Sequence, residues 1–80
     1  MDITSINVND FSKRAHTIYE KIRQGVEVKH RGKFLALEPD SGEYFLGDDE
    51  LGAINNGKAK YPDKLFYLFR VGYRAVHRHV

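Results

Sequence analysis

"KLFYLFRVGY", residues 64–73, is the most apolar stretch of the chain and is rich in aromatic residues. It is far shorter than the roughly 18 apolar residues of a membrane-spanning helix. Aromatic residues favour strands, and apolar residues at successive positions indicate a strand that is covered on both faces. The stretch therefore predicts a central strand, with a bulge or bend at Gly72 and an edge segment or tail after it.

Two further strand patterns precede it, "KFLALE" (33–38) and "EYFLG" (43–47), joined by "PDSG" (39–42). Asp, Ser and Gly are turn-forming residues, and proline suits the end of a strand because it lacks an N–H. The pattern predicts a β-hairpin with an acidic tip.

Helical periodicity occurs on both sides of the hairpin. "VNDFSKRAHTIYEKIRQG" (8–25) predicts a helix capped by Asn9 or Asp10 and ended by Gly25, with an apolar face of Phe11, Ala15, Ile18 and Ile22. "VEVKH" (26–30) alternates, which predicts an extended arm or a short strand. "GDDELGAINNGKAKYP" (47–62) predicts a second helix with Asp48 or Asp49 as its cap and an apolar face of Leu51, Ile54 and Ala59.

These elements predict one α+β domain spanning residues 1–80, in the order αββαβ. We expect a small three-stranded mixed sheet with two helices on one face, the crossover helix returning the last strand parallel to its predecessor.

Length and composition restrict the functions that we expect. A chain of 80 residues has a thin core, so a small-molecule pocket would need a wall from a second subunit, which favours a homodimer. The absence of cysteine excludes disulfides and thiolate ligands. The N-terminal "MDITSINVND" lacks the features of a signal peptide, so we expect a cytoplasmic protein without membrane contact.

Charge is unevenly distributed along the chain. Residues 1–37 contain seven Lys/Arg and four Asp/Glu, residues 38–56 contain six acids and no base, and residues 57–80 contain six bases and one acid. If these segments stay apart after folding, they give an electropositive face that attracts a partner; if they pair, much of the polarity cancels.

Basic residues near the hairpin and the last strand are the candidate binding residues, for nucleic acid or for a protein partner: Lys29, His30, Arg31, Lys33, Arg70, Arg74 and Arg78. They are interleaved with tyrosines, including Tyr73, and cations with aromatic rings are suited to phosphates and bases. Arg70, beside an apolar run, is expected to be partly buried and to need an anion, with Glu38, Glu43 and Asp49 as candidates.

Catalytic and metal-binding hypotheses have less support. His77 and His79 share one side of a strand, so with His30 or a carboxylate of the acidic loop 40–50 they could chelate a metal, or they could form only a cationic tail. The acids Asp40, Glu43, Asp48, Asp49 and Glu50 are explained by a turn and a helix cap. His16 is expected to be a half-buried packing residue. No catalytic residue, metal ligand set or cofactor is assigned.

Two resemblances add to these expectations. "IYEKIR", "HRGKFLALEPDSGEYFLGDDE" and "YPDKLFYLFRVG" together resemble a family of small bacterial proteins of unknown function, common in cyanobacteria, with the pattern H-x-G-K, G-[DE]-Y and R-[VI]-G over roughly residues 18–75. Its motif positions here are His30, Gly32, Lys33, Arg70 and Gly72. "VNDFSKRAHTIYEKIRQGVEVKHRGKFLAL" is similar to prevent-host-death antitoxins, which implies a DNA-binding dimer, although the chain continues into strands where such antitoxins carry further helices.

The sequence thus favours a noncatalytic binding module, an antitoxin-like regulator that contacts a protein partner or nucleic acid through a basic surface. The alternative is a small enzyme or metal-binding protein that uses His30, His77 and His79 with the acidic loop.

Overall fold

A computed structural model describes residues 8–73 and 77–79 of the chain. The elements are α1 (Val8–His30), β1 (Phe34–Glu38), β2 (Glu43–Gly47), α2 (Glu50–Lys60), β3 (Tyr67–Arg70) and β4 (His77–His79). The α+β class and the order αββαβ are confirmed, and β4 adds a short edge strand after them.

The strands form one sheet in the order β2-β1-β3-β4. Every pair of neighbours in the described ranges is antiparallel, so the sheet is not mixed and has four strands rather than three. β3 does run in the same direction as β2, as predicted, but it pairs with the other side of β1. The apolar residues on both faces of β1 suit this central position, where layers packed on the sheet can cover both faces.

The two helices lie on opposite faces of the sheet, not on one face as predicted. One face of the sheet packs on Ala15 and Tyr19 of α1 through the strand residues Leu35, Leu37, Tyr67 and Phe69. The opposite face forms a second core against α2 from Ala36, Phe66, Leu68 and Ala53. Since β1 and β3 are apolar on both sides, one helical layer would have left one of their faces in water.

Helix α1 continues through Gly25 to His30, so "VEVKH" is neither an arm nor a strand, and Asn9 and Asp10 lie within the helix. Gly25 is exposed, and a Cβ added there would meet no other part of the structure within 4 Å. Val26 extends the apolar face and is only 4% exposed. Burial of this last apolar turn therefore outweighs the helix-breaking tendency of one glycine, which is about 1 kcal/mol.

Helix α2 packs closely on the sheet through small residues. Its buried residues are Ala53 and Gly57, whereas the predicted core residues Leu51 and Ala59 are exposed. A Cβ on Gly57 would lie 2.6 Å from the ring of Phe66. Asp49 is the N-cap, as predicted, and its Oδ1 accepts a hydrogen bond from the Gly52 N–H at 2.7 Å.

The predicted hairpin is confirmed, and its turn is held by a buried carboxylate. Glu38 is 2% exposed. Its carboxylate accepts hydrogen bonds from the backbone N–H groups of Asp40, at 3.0 Å, and Ser41, at 2.8 Å. Gly42 adopts a φ of +78°, which glycine tolerates without strain. We call this end of the sheet, residues 39–42, the tip end.

Candidate nucleic-acid interface

Two basic segments of the sequence meet at the end of the sheet opposite the tip end. The Gly32 N–H donates to the Val71 carbonyl, and the Val71 N–H donates to the Lys33 carbonyl, both at 2.8 Å. In the same ladder Phe34 lies opposite Arg70. These bonds place five of the seven predicted binding residues at one end: Lys29, His30, Arg31, Lys33 and Arg70. We call this set the basic end.

A tight turn follows β3 at the basic end. The Tyr73 N–H donates to the Arg70 carbonyl at 3.0 Å. Gly72 has a φ of +83°, the value typical of the third position of a type II turn. Arg31 lies across this glycine, where a Cβ would be 2.9 Å from Arg31 Cγ, and its Nη1 donates to the Gly72 carbonyl at 3.3 Å. The predicted bend is therefore confirmed, and it fixes the position of Arg31.

Arg70 contacts aromatic rings rather than a carboxylate. Its Cζ lies 4.3 Å from the ring centroid of Tyr73 and 5.3 Å from that of Phe34. Among the described residues its buried Nε has no hydrogen-bond partner. The partial burial of Arg70 was predicted correctly. The predicted carboxylate partner was wrong, because none of the described carboxylates bonds to its buried Nε.

The three carboxylates proposed for Arg70 have other partners. Glu38 binds the hairpin turn, and Asp49 caps α2. Glu43 accepts hydrogen bonds from the hydroxyl of Tyr61 and, at 2.9 Å, from Lys60 Nζ. These two bonds, that from Tyr61 first, hold the pKa of Glu43 below its usual value. Cation–π contacts with Tyr73 and Phe34 take the place of an ion pair at Arg70.

Ion pairs connect the acidic middle of the chain to both basic segments. Asp40 pairs with Arg14 at 2.8 Å and with Lys64 at 3.1 Å. These hydrogen bonds lower the pKa of Asp40. The pairs Lys60–Glu43 and Lys33–Asp48 follow the same pattern. The sequence segments therefore neutralise each other at several points, and the strong polarity that complete separation would have given is reduced.

The basic end keeps most of its charge despite this pairing. Of the residues at the basic end, Lys33 forms an ion pair in the described part of the structure. Its partner is Asp48, and the Lys33 side chain is still 46% exposed. Lys29 and Arg31 are exposed, and His30 is partly buried. The electropositive region is thus smaller than the sequence suggested and is limited to one end of the sheet.

A shallow cavity adjoins the basic end, between the end of α1 and the start of α2. Its volume is about 710 Å³, and it is open to solvent. It contains two acids, two asparagines, a lysine and a histidine, so no single charge dominates it. The lining residues are His30, Lys33, Leu46, Gly47, Asp48, Asp49, Gly52, Asn55 and Asn56.

The three histidines of the alternative hypothesis are not brought together with the acidic loop: His30 lines the cavity with Asp48 and Asp49, whereas His77 and His79 lie on the opposite edge strand. His77 and His79 belong to β4, opposite Phe69 and Tyr67. β4 and β2 are the two edges of the sheet, with two strands between them, which separates them by about 14 Å. In the part of the chain that the structure describes, no group of three or more His, Asp or Glu could hold a metal.

Two predicted binding residues are not fully placed. Arg74 lies outside the described residues, and Arg78 is placed only by its pairing with Leu68 in the β4 ladder. Phe34 was missed as a site residue by the sequence analysis. The sequence feature that indicates this role is the position of Phe34 directly after "HRGK". If this segment pairs with "RVG" in an antiparallel ladder, Phe34 can lie beside Arg70.

His16 is a packing residue, as expected. It is partly buried, and its ring meets those of Tyr67 and Phe69 edge-on, with centroids 5.2 and 5.3 Å apart. Its Nε2 lies 3.2 Å from the Tyr67 hydroxyl. This arrangement fixes α1 on the sheet.

Comparison with known proteins finds no matching family model, curated protein or solved structure. The two resemblances noted in the sequence therefore stay predictions. In residues 8–73 and 77–79, no helix combines the length and apolarity needed to cross a membrane.

Proposed function

We propose that this protein is a noncatalytic binding module that contacts nucleic acid through the basic end. The observation that supports this proposal is the junction between "HRGK" and "RVG", where two backbone hydrogen bonds of 2.8 Å hold cations from both segments side by side. Cations at fixed positions neutralise phosphates and release counterions, which provides much of the free energy of nucleic-acid binding.

The composition of the basic end also fits this partner. Arginine and lysine bind phosphate oxygens, and aromatic rings stack on bases. Arg31 is already oriented by its hydrogen bond to Gly72, so less side-chain entropy is lost when it binds. We place the protein in the cytoplasm as an antitoxin-like regulator, with a homodimer as its expected assembly.

Salt dependence of binding tests the proposal. Fluorescence anisotropy would follow labelled DNA, single-stranded and duplex, at about 50 and about 200 mM salt. Three phosphate contacts would weaken duplex affinity by about 40-fold over this range, since log K falls with a slope of about −0.9 per contact. Absence of binding at the lower salt would exclude nucleic acid and leave a protein partner.

A matched pair of variants locates the interface. The double variant Lys29→Ala/Arg31→Ala removes two cations of the basic end, and we expect the salt slope to fall by about two. Lys58→Ala/Lys64→Ala removes the same charge near the tip end, where Lys64 pairs with Asp40. Equal effects of the two double variants would show nonspecific attraction and contradict the assigned site.

Metal analysis separates the alternative, a small enzyme or metal-binding protein that uses His30, His77 and His79. Elemental analysis of untagged protein should find no stoichiometric metal if the binding-module proposal is correct. A stoichiometric metal that is lost in His77→Ala would instead support the alternative.

A further inference from the structure

We infer that Tyr73 is a stacking platform for a nucleobase and that the nucleic acid bound at the basic end is single-stranded. This inference rests on the proposed function and adds the class of nucleic acid and the residue that selects it.

The first step is the position of the Tyr73 ring. The guanidinium of Arg70 lies over it, with Cζ 4.3 Å from the ring centroid. Nevertheless Tyr73 is 47% exposed. The ring therefore has one side occupied by a cation and a large surface open to solvent, whereas Tyr19 stacks on Phe69 and Tyr61 bonds to Glu43. Tyr44 is 40% exposed and lines a cavity with Lys29 and His30, so what distinguishes Tyr73 among the described tyrosines is its contact with Arg70.

The second step is that the ring is held in place before any ligand binds. The turn that carries it is closed by the hydrogen bond from the Tyr73 N–H to the Arg70 carbonyl at 3.0 Å. Val71, two residues before Tyr73, is fully buried, and its backbone forms hydrogen bonds with both Gly32 and Lys33. Because this backbone is fixed in the sheet, stacking on Tyr73 requires little ordering of the protein.

The third step is the charge beside the ring. Arg31 Nη1 lies 3.3 Å from the carbonyl of Gly72, the residue next to Tyr73. The Lys33 carbonyl accepts a hydrogen bond from the Val71 N–H, which places a second cation in the adjoining strand. A base on Tyr73 would thus have cations near its own phosphates, and the arginine beneath the ring adds a cation–π contribution to the stack.

The fourth step is the strandedness of the ligand. In a duplex the faces of each base are covered by its neighbours, so an exposed ring on a rigid turn reaches only their edges. In a single strand the base faces are accessible, and stacking tolerates any sequence because every base has a π-face. The combination of a flat exposed ring and adjacent cations therefore favours single-stranded over duplex nucleic acid.

The experiment compares oligothymidine of about 15 nucleotides with a duplex of equal length, at one salt concentration. We expect tighter binding of the single strand. Tyr73→Leu should weaken single-strand binding by about 5- to 150-fold, the range for loss of one stacked base, without changing the salt slope. Tyr73→Phe keeps the ring and should bind like the unchanged protein.

A spectroscopic readout reports stacking directly. The chain contains no tryptophan. Tyr73→Trp therefore introduces a single indole, whose fluorescence should be quenched when oligothymidine binds and unchanged when the duplex is added. Thermal melts of the variants establish that each one folds.

The outcomes separate the inference from the proposal on which it rests. Single-strand binding that Tyr73→Leu leaves within about twofold, or duplex binding as tight as single-strand binding, would overturn the inference and leave the proposed function standing. Failure of both oligonucleotides to bind at low salt would overturn both.

Discussion

Gly47 is the position where the close packing of α2 can be tested most sharply. It ends β2, directly beneath the first turn of α2. An added Cβ would lie 2.6 Å from the carbonyl carbon of Gly52, 2.8 Å from Ala53 Cα, and closer still to the Ala53 nitrogen. All three are backbone atoms, so no side-chain rotation relieves the overlap. Gly47→Ala requires α2 to move away from the sheet.

The expected cost is about 3 kcal/mol in the free energy of unfolding, the upper end of the range for overpacked cores. A domain of this size has a total stability of roughly 4–12 kcal/mol, so the loss is a large fraction of it. We expect the melting temperature to fall by about 12–24 °C, since each kcal/mol corresponds to about 4–8 °C in a domain of this length.

Gly25→Ala is the matched control. The same methyl group is added in the middle of α1, where nothing lies within 4 Å of it. Alanine has the higher helix propensity, so this variant should be more stable by up to about 1 kcal/mol. Urea titration followed by circular dichroism measures both variants. If Gly47→Ala is as stable as the unchanged protein, the described contact between β2 and α2 is wrong.

Three other predictions concern charge. Hydrogen-bond partners in the folded state lower the pKa of Asp40, Glu43 and Asp48. Their contribution to stability is therefore complete above the unfolded pKa of about 4, and it is lost as the pH falls through the lower folded pKa. The melting temperature should therefore drop between neutral and strongly acidic pH, and the drop should be smaller in Glu43→Gln than in the unchanged protein. A melting temperature that does not change with pH would contradict these ion pairs. Glu38→Gln should lower the unfolding free energy by about 1–3 kcal/mol in urea, because the two N–H groups of the turn bond to different carboxylate oxygens and the amide replaces one of these with an NH2 donor; unchanged stability would show that the carboxylate is not needed there. Arg70→Leu should change stability by only about 1 kcal/mol, since cation–π contacts and not a buried ion pair are lost, and a loss of several kcal/mol would indicate a carboxylate partner after all.

Local patterns in the sequence were sufficient to predict most individual elements. The hairpin, the helix cap at Asp49 and the buried strand "YLFR" all follow from short-range preferences of turn, capping and apolar residues. The end of α1 did not follow, because the burial of Val26 depends on the sheet against which the helix packs.

The arrangement of the layers required information that local patterns lack. The helices cover opposite faces because β1 and β3 are apolar on both sides, which becomes visible only when the strands are paired. The close approach of α2 to β2 depends in addition on the absence of a Cβ at Gly47. Gly52 and Gly57 each disfavour a helix by about 1 kcal/mol, but Gly57 also provides the space for the ring of Phe66. The same residues can weaken a helix and allow its packing.

The candidate site was predicted in its composition more than in its contacts. The sequence identified Lys29 to Lys33 and Arg70 as one set, and the strand pairing brings them together. It did not identify Phe34 and Tyr73 as the partners of Arg70. That contact depends on strand register and on the turn at Gly72, neither of which a residue pattern determines.

The hydrogen bond from Asn56 Nδ2 to the Leu46 carbonyl, 2.7 Å long, occupies a backbone acceptor of the edge strand β2. The Lys33 carbonyl accepts a hydrogen bond from the β3 side. Because the backbone groups of successive strand residues point to alternate sides, those of Leu35 also point toward β3, and those of its β2 partner Leu46 point toward the open edge of the sheet. Such edges recruit strands from other molecules and start aggregation. A foreign strand that docks here would have to displace the asparagine amide, so we expect α2 to hinder edge-to-edge association as well as cover the core.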